Sequence, residues 1–202
     1  MDLTVRRVRE VPRQERFRVQ PGGWNTVAMD DQELLAAAMD IERHVAADGW
    51  DQPALLFALV PTETIRADQP ELAEQLGVTE EGPALTTFEQ PTPPDNEELD
   101  EFLARIEWPP QIAGAALVVE RIVLPPEAEA EIADRPDAAA AARAHPAAQD
   151  MRIVVAVMKD GGQMSVLRLR GAEDGPEAAD DEVLTGADLV PGLSEALVAT
   201  FR

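Results

Sequence analysis

The sequence predicts an α+β fold in which a five-stranded, mostly antiparallel sheet carries helices packed on one face. Helical stripes alternate with short apolar runs along the chain, and Asp160-Gly161 separates two such runs. Asp-Gly between β-type runs is typical of a tight hairpin, whose two strands are antiparallel. Hydrophobic residues make up 45% of the 202 residues, which is sufficient for a core.

The first 28 residues differ from the rest in charge and pattern. They carry six arginines, show no helical stripe, and are interrupted by Pro12 and by Pro21-Gly22-Gly23. They represent either a disordered basic head or a misassigned gene start before Met29. We expect residues 29–202 to form a single α+β domain.

The first predicted helix begins at Asp30 or Asp31, either of which can cap free backbone N–H groups. Its apolar stripe consists of Leu34, Ala38, Ile41 and Val45. Residues 54–60 form an apolar run that ends at Pro61, as expected for a buried strand. Further along the chain we predict short helices at 62–67 and 70–76, a strand at 84–89, a helix at 96–106 and a long strand at 115–124.

The C-terminal half contains the clearest local pattern. Residues 125–150 are rich in Pro, Glu and Ala, and we expect an exposed helix at 136–144 with mobile flanks. Residues 151–158 and 163–170 are the two strands around Asp160-Gly161. An acidic loop at 171–182 then leads to a last helix at 191–201.

Charge excludes several classes of partner. The chain carries 39 acidic and 17 basic residues, for a formal net charge of −22. Such an anion repels nucleic-acid phosphates and anionic lipid headgroups. No apolar stretch reaches the roughly 18 residues of a membrane span, and no secretory signal is visible. We therefore expect a cytoplasmic protein with no nucleic-acid partner and no membrane insertion.

Side chains for covalent or acid–base chemistry are scarce. The chain has no Cys and no Tyr, and its remaining candidates are Lys159, Ser165, Ser194, His44 and His145. Neither serine lies in a Gly-x-Ser-x-Gly elbow, and no glycine-rich phosphate loop occurs. Asp40 and His44 have the i,i+4 spacing of two metal ligands but lack a second histidine. The sequence thus predicts no catalytic residue, no metal site and no cofactor.

Charged residues interrupt the otherwise apolar predicted strands. These candidate binding residues are Glu120, Arg121, Arg152, Arg168 and Arg170. If they converge on one sheet face, they form a basic patch that could receive a carboxylate, a phosphate or an acidic peptide. Alternatively, they pair across the strands with one another and with acids on the helices.

Several blocks carry a resemblance to other proteins. They are residues 49–60 (GWDQPALLFALV), Trp108 with 115–126 (AALVVERIVLPP), His145-Pro146 with 151–157 (MRIVVAV), and 184–193 (LTGADLVPGL). Together they resemble an uncharacterised family of actinobacterial proteins of similar length, for which no activity is established. The order of elements is also similar to the type III secretion chaperone fold, an analogy that does not determine function.

We therefore expect a non-enzymatic protein-binding or adaptor domain, chaperone-like in its element order, whose partner is another protein. The alternative is a hydrolase based on carboxylates and arginine, which a metal could assist. That activity requires a cleft where at least two acids meet Arg121, Arg152 or Arg168. A homodimer formed through the hairpin edge or the last helix is a further alternative.

Overall fold

The fold is built on an open antiparallel sheet of six strands. The computed structural model describes residues 29–91, 98–171 and 182–201. The strands are β1 (Leu55–Pro61), β2 (Leu85–Glu89), β3 (Gly114–Val123), β4 (Gln149–Met158), β5 (Gln163–Leu169) and β6 (Glu182–Gly186). Their spatial order is β2-β1-β3-β4-β5-β6, and each neighbouring pair is antiparallel.

The described residues also form seven helices. These are α1 (Met29–Ala47), α2 (Thr62–Asp68), α3 (Pro70–Gln75), α4 (Leu99–Ala104), α5 (Pro126–Ile132), α6 (Ala138–Ala144) and α7 (Pro191–Val198). Within that part of the chain, no helix is long and apolar enough to cross a membrane.

One face of the sheet packs against α1. The predicted stripe of Leu34, Ala38, Ile41 and Val45 is buried along its length, which confirms this helix. It contacts alternate residues of the strands, and we call this cluster the α1 core. Its strand members include Phe57, Leu59, Ala116, Val118, Val154, Ala156, Met164 and Val166.

The opposite face carries a second cluster, which we call the α7 core. Leu103 of α4 and Leu197 of α7 are buried there against the other set of alternating strand residues. The strand members include Leu56, Leu117, Val119, Ile153, Val155 and Leu167. Helices α2 and α3 extend this layer, since Ile65 and Ala73 pack with Ala58 and Val60 of β1.

The prediction of helices on one face was therefore wrong. In β1, β3 and β4, apolar residues occupy successive positions rather than alternate ones, and nearly all of them are buried. Strands of that kind have both faces covered, whereas a sheet with one solvated face alternates apolar and polar residues.

The prediction of five strands was also wrong, because β6 adds a sixth. The β4–β5 hairpin is present as predicted, with Gly161 in its turn at a φ of 111°. However, β6 pairs with β5 and β3 pairs with β4, so the hairpin has no free edge for the proposed dimer. Among the described strands, β2 and β6 are the edges.

Two further differences concern local sequence. Helix α5 lies in the Pro-, Glu- and Ala-rich stretch where we expected mobile flanks, and buries Ala128 and Ile132. Its Pro126 occupies the first helical turn, where a missing N–H has no cost. The basic head at 1–28 and most of the loop predicted at 171–182 lie outside the described residues.

Candidate functional site

Four of the five charged strand residues share the sheet face that α1 covers. Glu120, Arg152 and Arg168 occupy one row across β3, β4 and β5, because Glu120 pairs with Arg152 and Arg152 with Arg168 in the register. Each lies two positions from an α1-core residue, and residues i and i+2 of a strand point to the same face. Arg170 is the first residue after β5 and lies two positions beyond Arg168, on the same side.

Arg152 is the centre of this row and is only 1% exposed. Its Nε and Nη2 donate to Glu120 Oε1 at 3.0 and 2.8 Å, and Nη2 also donates to the Gly49 carbonyl. Its Nη1 lies 3.7 Å from Glu42 Oε1. The buried guanidinium therefore meets two carboxylates and a carbonyl, which compensates for its lost hydration.

Glu42 of α1 supplies the second carboxylate, and its exposure is 0%. Arg168 donates to it through two nitrogens, with Nη2 at 2.6 Å from Oε2 and Nε on Oε1. This is the paired geometry in which arginine binds a carboxylate most strongly. We call Glu42, Glu120, Arg152 and Arg168 the Glu42 network. It balances two negative with two positive charges.

The turn after α1 is docked onto the Glu42 network. Glu120 Oε2 accepts from the backbone N–H groups of Asp51 and Gln52 at 2.7 and 3.2 Å. These bonds hold Asp51 at a φ of 66°, a left-handed conformation that Asp tolerates better than most non-glycine residues. The Trp50 ring lies over the Arg152 guanidinium at 4.6 Å from its centroid. Trp50 thus covers the network from the solvent side by a cation–π contact.

The remaining two predicted binding residues behave differently. Arg170 lies 5.6 Å from the Trp50 centroid and donates to Asp150 Oδ2 at 3.3 Å. Arg121 points to the α7-core face and donates to the Glu120 carbonyl at 2.9 Å. Although the residue is exposed overall, desolvation lowers the pKa of the Arg121 guanidinium below its usual value. Arg121 therefore does not join the other four.

A separate recess lies at the other end of β4, and we call it the Trp108 pocket. It has a volume of about 370 Å³. Its walls come from the end of α4, the segment before β3, the turn after β4 and the residues after α7. The lining residues are Ala104, Arg105, Ile106, Glu107, Trp108, Pro109, Ile112, Lys159, Thr200 and Phe201.

Two stacked rings form the aromatic part of this pocket. Trp108 and Phe201 have centroids 5.7 Å apart and an interplanar angle of 17°. Trp108 Nε1 donates to Thr200 Oγ1 at 2.7 Å, and Thr200 Oγ1 donates to the Leu197 carbonyl at 2.6 Å. This chain of bonds joins the segment before β3 to the end of α7 and holds the indole in one orientation.

Lys159 lines this pocket, and a hydrogen bond of its backbone fixes the position of the residue. Its N–H donates to the Ala113 carbonyl at 2.8 Å, which ties the turn after β4 to the segment before β3. The side chain is exposed and, among the described residues, forms no ion pair. With Arg105 and Glu107 also in the lining, the pocket has one positive charge in excess.

Of the sparse nucleophiles and bases, Ser194, His145 and His44 have local structural contacts, whereas Ser165 differs. Ser194 Oγ donates to the Val190 carbonyl at 3.4 Å, and His145 Nδ1 accepts from the Ala147 N–H at 3.1 Å. His44 lies edge-on to Phe57, with centroids 6.5 Å apart. Ser165 Oγ is buried and has no hydrogen-bond partner in the described part of the chain. In the same residues, no three His, Asp or Glu side chains are grouped to hold a metal.

Sequence reasoning missed Glu42 and the Trp108 pocket. Glu42 follows Ile41 and lies four residues after Ala38, so its place inside the apolar stripe was the available signal. The pocket joins residues separated by up to 97 positions along the chain, from Ala104 to Phe201. Nothing in the local pattern indicates that Trp108 meets Phe201.

The comparisons with known proteins identify the family. A sequence model of the PPA1309-like protein family matches residues 34–202. The chain belongs to this family. The match confirms the predicted resemblance to an uncharacterised family and transfers no catalytic residue, whereas an actinobacterial source stays a prediction. No curated protein and no solved structure matches the chain, so the likeness to a secretion chaperone stays an analogy of element order.

Proposed function

We propose that the protein is a non-enzymatic, cytoplasmic protein-binding domain and that the Trp108 pocket is its recognition site. The observation that carries this proposal is a solvent-accessible recess with a stacked aromatic wall and an exposed lysine that has no ion pair among the described residues. Binding sites are typically concave and combine apolar walls with a few polar groups. Aromatic residues are also enriched where proteins bind each other.

An exposed apolar side chain next to the pocket supports the same proposal. Val198 of α7 is 39% exposed, and its carbonyl accepts from the Phe201 N–H. Residues three apart in such a turn are neighbours on one side of the helix. Val198 therefore adds exposed apolar surface one turn before Phe201 of the aromatic wall.

The Glu42 network favours binding over the hydrolase alternative. Two acids and two arginines do meet there, as that alternative requires, but Glu42 is 0% and Arg152 1% exposed. Their carboxylate oxygens and guanidinium nitrogens already bind one another, Gly49, Asp51 and Gln52. A substrate would have to replace these buried contacts, at a cost of several kcal/mol.

The test blocks the pocket without altering either core. Ala104 is exposed at the end of α4 and lines the pocket, so Ala104→Trp fills the recess with a large ring. Ala140→Trp, on the exposed side of α6, adds the same ring elsewhere. Both variants and the unmodified chain serve as bait in the cells that naturally contain the protein, and each recovered protein is then purified and titrated.

We expect at least one purified partner to bind the unmodified chain and Ala140→Trp equally, and Ala104→Trp at least tenfold more weakly. Equal binding by all three proteins would place recognition elsewhere. A hydrolase screen with phosphate-ester and glycoside substrates runs in parallel. Turnover by the unmodified chain that Arg168→Gln abolishes would support the hydrolase instead.

A further inference from the structure

We propose that the Trp108 pocket binds an acidic peptide segment in which a side-chain carboxylate neighbours an apolar side chain. In this arrangement Lys159 pairs with the carboxylate, and the Trp108–Phe201 wall contacts the apolar group. This inference rests on the proposed function and specifies the chemistry of the partner.

The first argument is that Lys159 forms no ion pair among the described residues. Elsewhere in the structure, positive charges next to aromatic rings are already paired: Arg152 under Trp50 binds Glu120, and Arg170 binds Asp150. Lys159 lines an aromatic pocket without any such partner among the described residues. Glu107 lines the same pocket but forms no ion pair with Lys159. The ammonium is thus available to a carboxylate from outside.

The second argument is the amount of charge. The pocket has an excess of one positive charge, because Glu107 offsets one of its two cations. The whole chain has a formal net charge of −22, so a polyanion such as a nucleic acid is repelled as it approaches. At physiological salt, charges interact over about 8 Å. A single carboxylate inside the pocket therefore experiences mainly the charges of the lining, and Lys159 is the cation there that forms no ion pair among the described residues. This fits an isolated acidic residue.

The third argument is size and composition. A recess of about 370 Å³ is at the small end of ligand sites, which span roughly 300–1,000 Å³. It can accommodate one or two side chains of a partner but not a folded element. Ile106, Pro109 and Ile112 line the recess beside the rings, and the larger part of the exposed lining is polar. One apolar side chain next to one carboxylate matches this combination.

The test uses short capped peptides as probes. N-acetyl-Glu-Phe-amide carries both groups, N-acetyl-Gln-Phe-amide lacks the charge, and N-acetyl-Glu-Ala-amide lacks the ring. N-acetyl-Gln-Phe with a free C-terminus moves the carboxylate from the side chain to the chain end. Binding is followed to millimolar concentrations by the NMR signal of the Trp108 indole N–H, which donates to Thr200.

We expect Glu-Phe-amide to bind about fivefold tighter than Gln-Phe-amide, the effect of one exposed ion pair. Lys159→Gln should abolish this difference. Arg143→Gln, which removes one exposed positive charge from α6, should preserve it. Glu-Ala-amide should bind more weakly than Glu-Phe-amide in every protein, because it lacks the contact with the aromatic wall.

Three results would overturn the inference. If Gln-Phe-amide binds as tightly as Glu-Phe-amide, the carboxylate is not recognised. If only the peptide with a free C-terminus binds, the site recognises chain ends. If no peptide shifts the Trp108 signal while a purified partner still distinguishes Ala104→Trp from Ala140→Trp, the ligand chemistry is wrong and the protein-binding function stands.

Discussion

The Glu42 network and the Trp108 pocket each combine a tryptophan with basic side chains, but they use their charges in opposite ways. In the network, Arg152 is buried, and its charge is balanced by Glu42 and Glu120. In the pocket, Lys159 is exposed and forms no ion pair among the described residues. The difference shows that a buried charge is neutralised within the fold, whereas an exposed charge can stay without an ion pair.

The largest expected effect comes from removing the central charge of the network. Arg152→Met should lower the free energy of unfolding by about 3–5 kcal/mol, because Glu42 and Glu120 are left partly unpaired in the interior. Lys159→Met should change it by less than about 0.5 kcal/mol, since the side chain is exposed. Urea denaturation of both variants measures the contrast. If Arg152→Met and Lys159→Met lost the same free energy of unfolding, the Glu42 network and the Trp108 pocket would not differ in their contribution to stability.

A smaller effect is expected at the ring that covers the network. Trp50→Leu should lower the free energy of unfolding by about 1–2 kcal/mol. It removes the cation–π contact with Arg152 and part of the packing of a half-buried ring. Trp50→Phe keeps an aromatic face and should cost less. Urea denaturation compares Trp50→Leu with Trp50→Phe. If Trp50→Phe lost more stability than Trp50→Leu, a cation–π role of Trp50 would be contradicted.

Ser165 tests the importance of satisfied hydrogen bonds in the interior. Its hydroxyl is buried without a partner among the described residues, in contrast to the paired groups of the network. Ser165→Ala removes this unpaired group and should leave stability unchanged or raise it by up to about 1 kcal/mol. Thermal unfolding of Ser165→Ala gives the answer. A marked decrease in the melting temperature would reveal a contact made by Ser165.

The smallest effect is expected at an exposed ion pair. Arg135 donates two hydrogen bonds of 2.9 Å to Asp137, and these bonds, with the charge of Arg135, lower the pKa of the Asp137 carboxyl. A lowered pKa contributes stability above the unfolded-state value near 4, and the contribution disappears as the pH falls through the folded-state value. Asp137→Asn should therefore have a slightly lower free energy of unfolding than the unmodified chain at pH 7, and the same free energy of unfolding near pH 2. Urea denaturation at the two pH values measures this. If the stability difference between Asp137→Asn and the unmodified chain grew on acidification, a lowered pKa of the Asp137 carboxyl would be contradicted.

The local elements were largely predictable because their signals are short-range. The stripe of α1 and the Asp160-Gly161 hairpin follow from spacings within a few residues, and both are present. β6 was missed because an edge strand needs few apolar residues. Only Val183 and Leu184 of its five residues pack against the two cores.

The candidate site was less predictable. The five charged strand residues stood out in the sequence, but whether they form a patch or pair internally depended on Glu42, which lies 78 positions before Glu120 and 110 before Arg152. The side of the sheet that each residue faces could be counted from the alternation. The register that places Glu120, Arg152 and Arg168 in one row could not be read from the sequence.

By itself, the sequence determined most of the segments that become helices and strands, the negative net charge and the shortage of catalytic side chains, because these depend on composition and on spacings within one element. Only the tertiary structure decided that both sheet faces are covered, that Arg152, Arg168 and Arg170 pair with acids, and that Trp108, Lys159 and Phe201 share one pocket. The physical reason is that ion pairing and pocket formation require contacts between distant segments. Those contacts exist only once the sheet register and the helix packing bring the segments together.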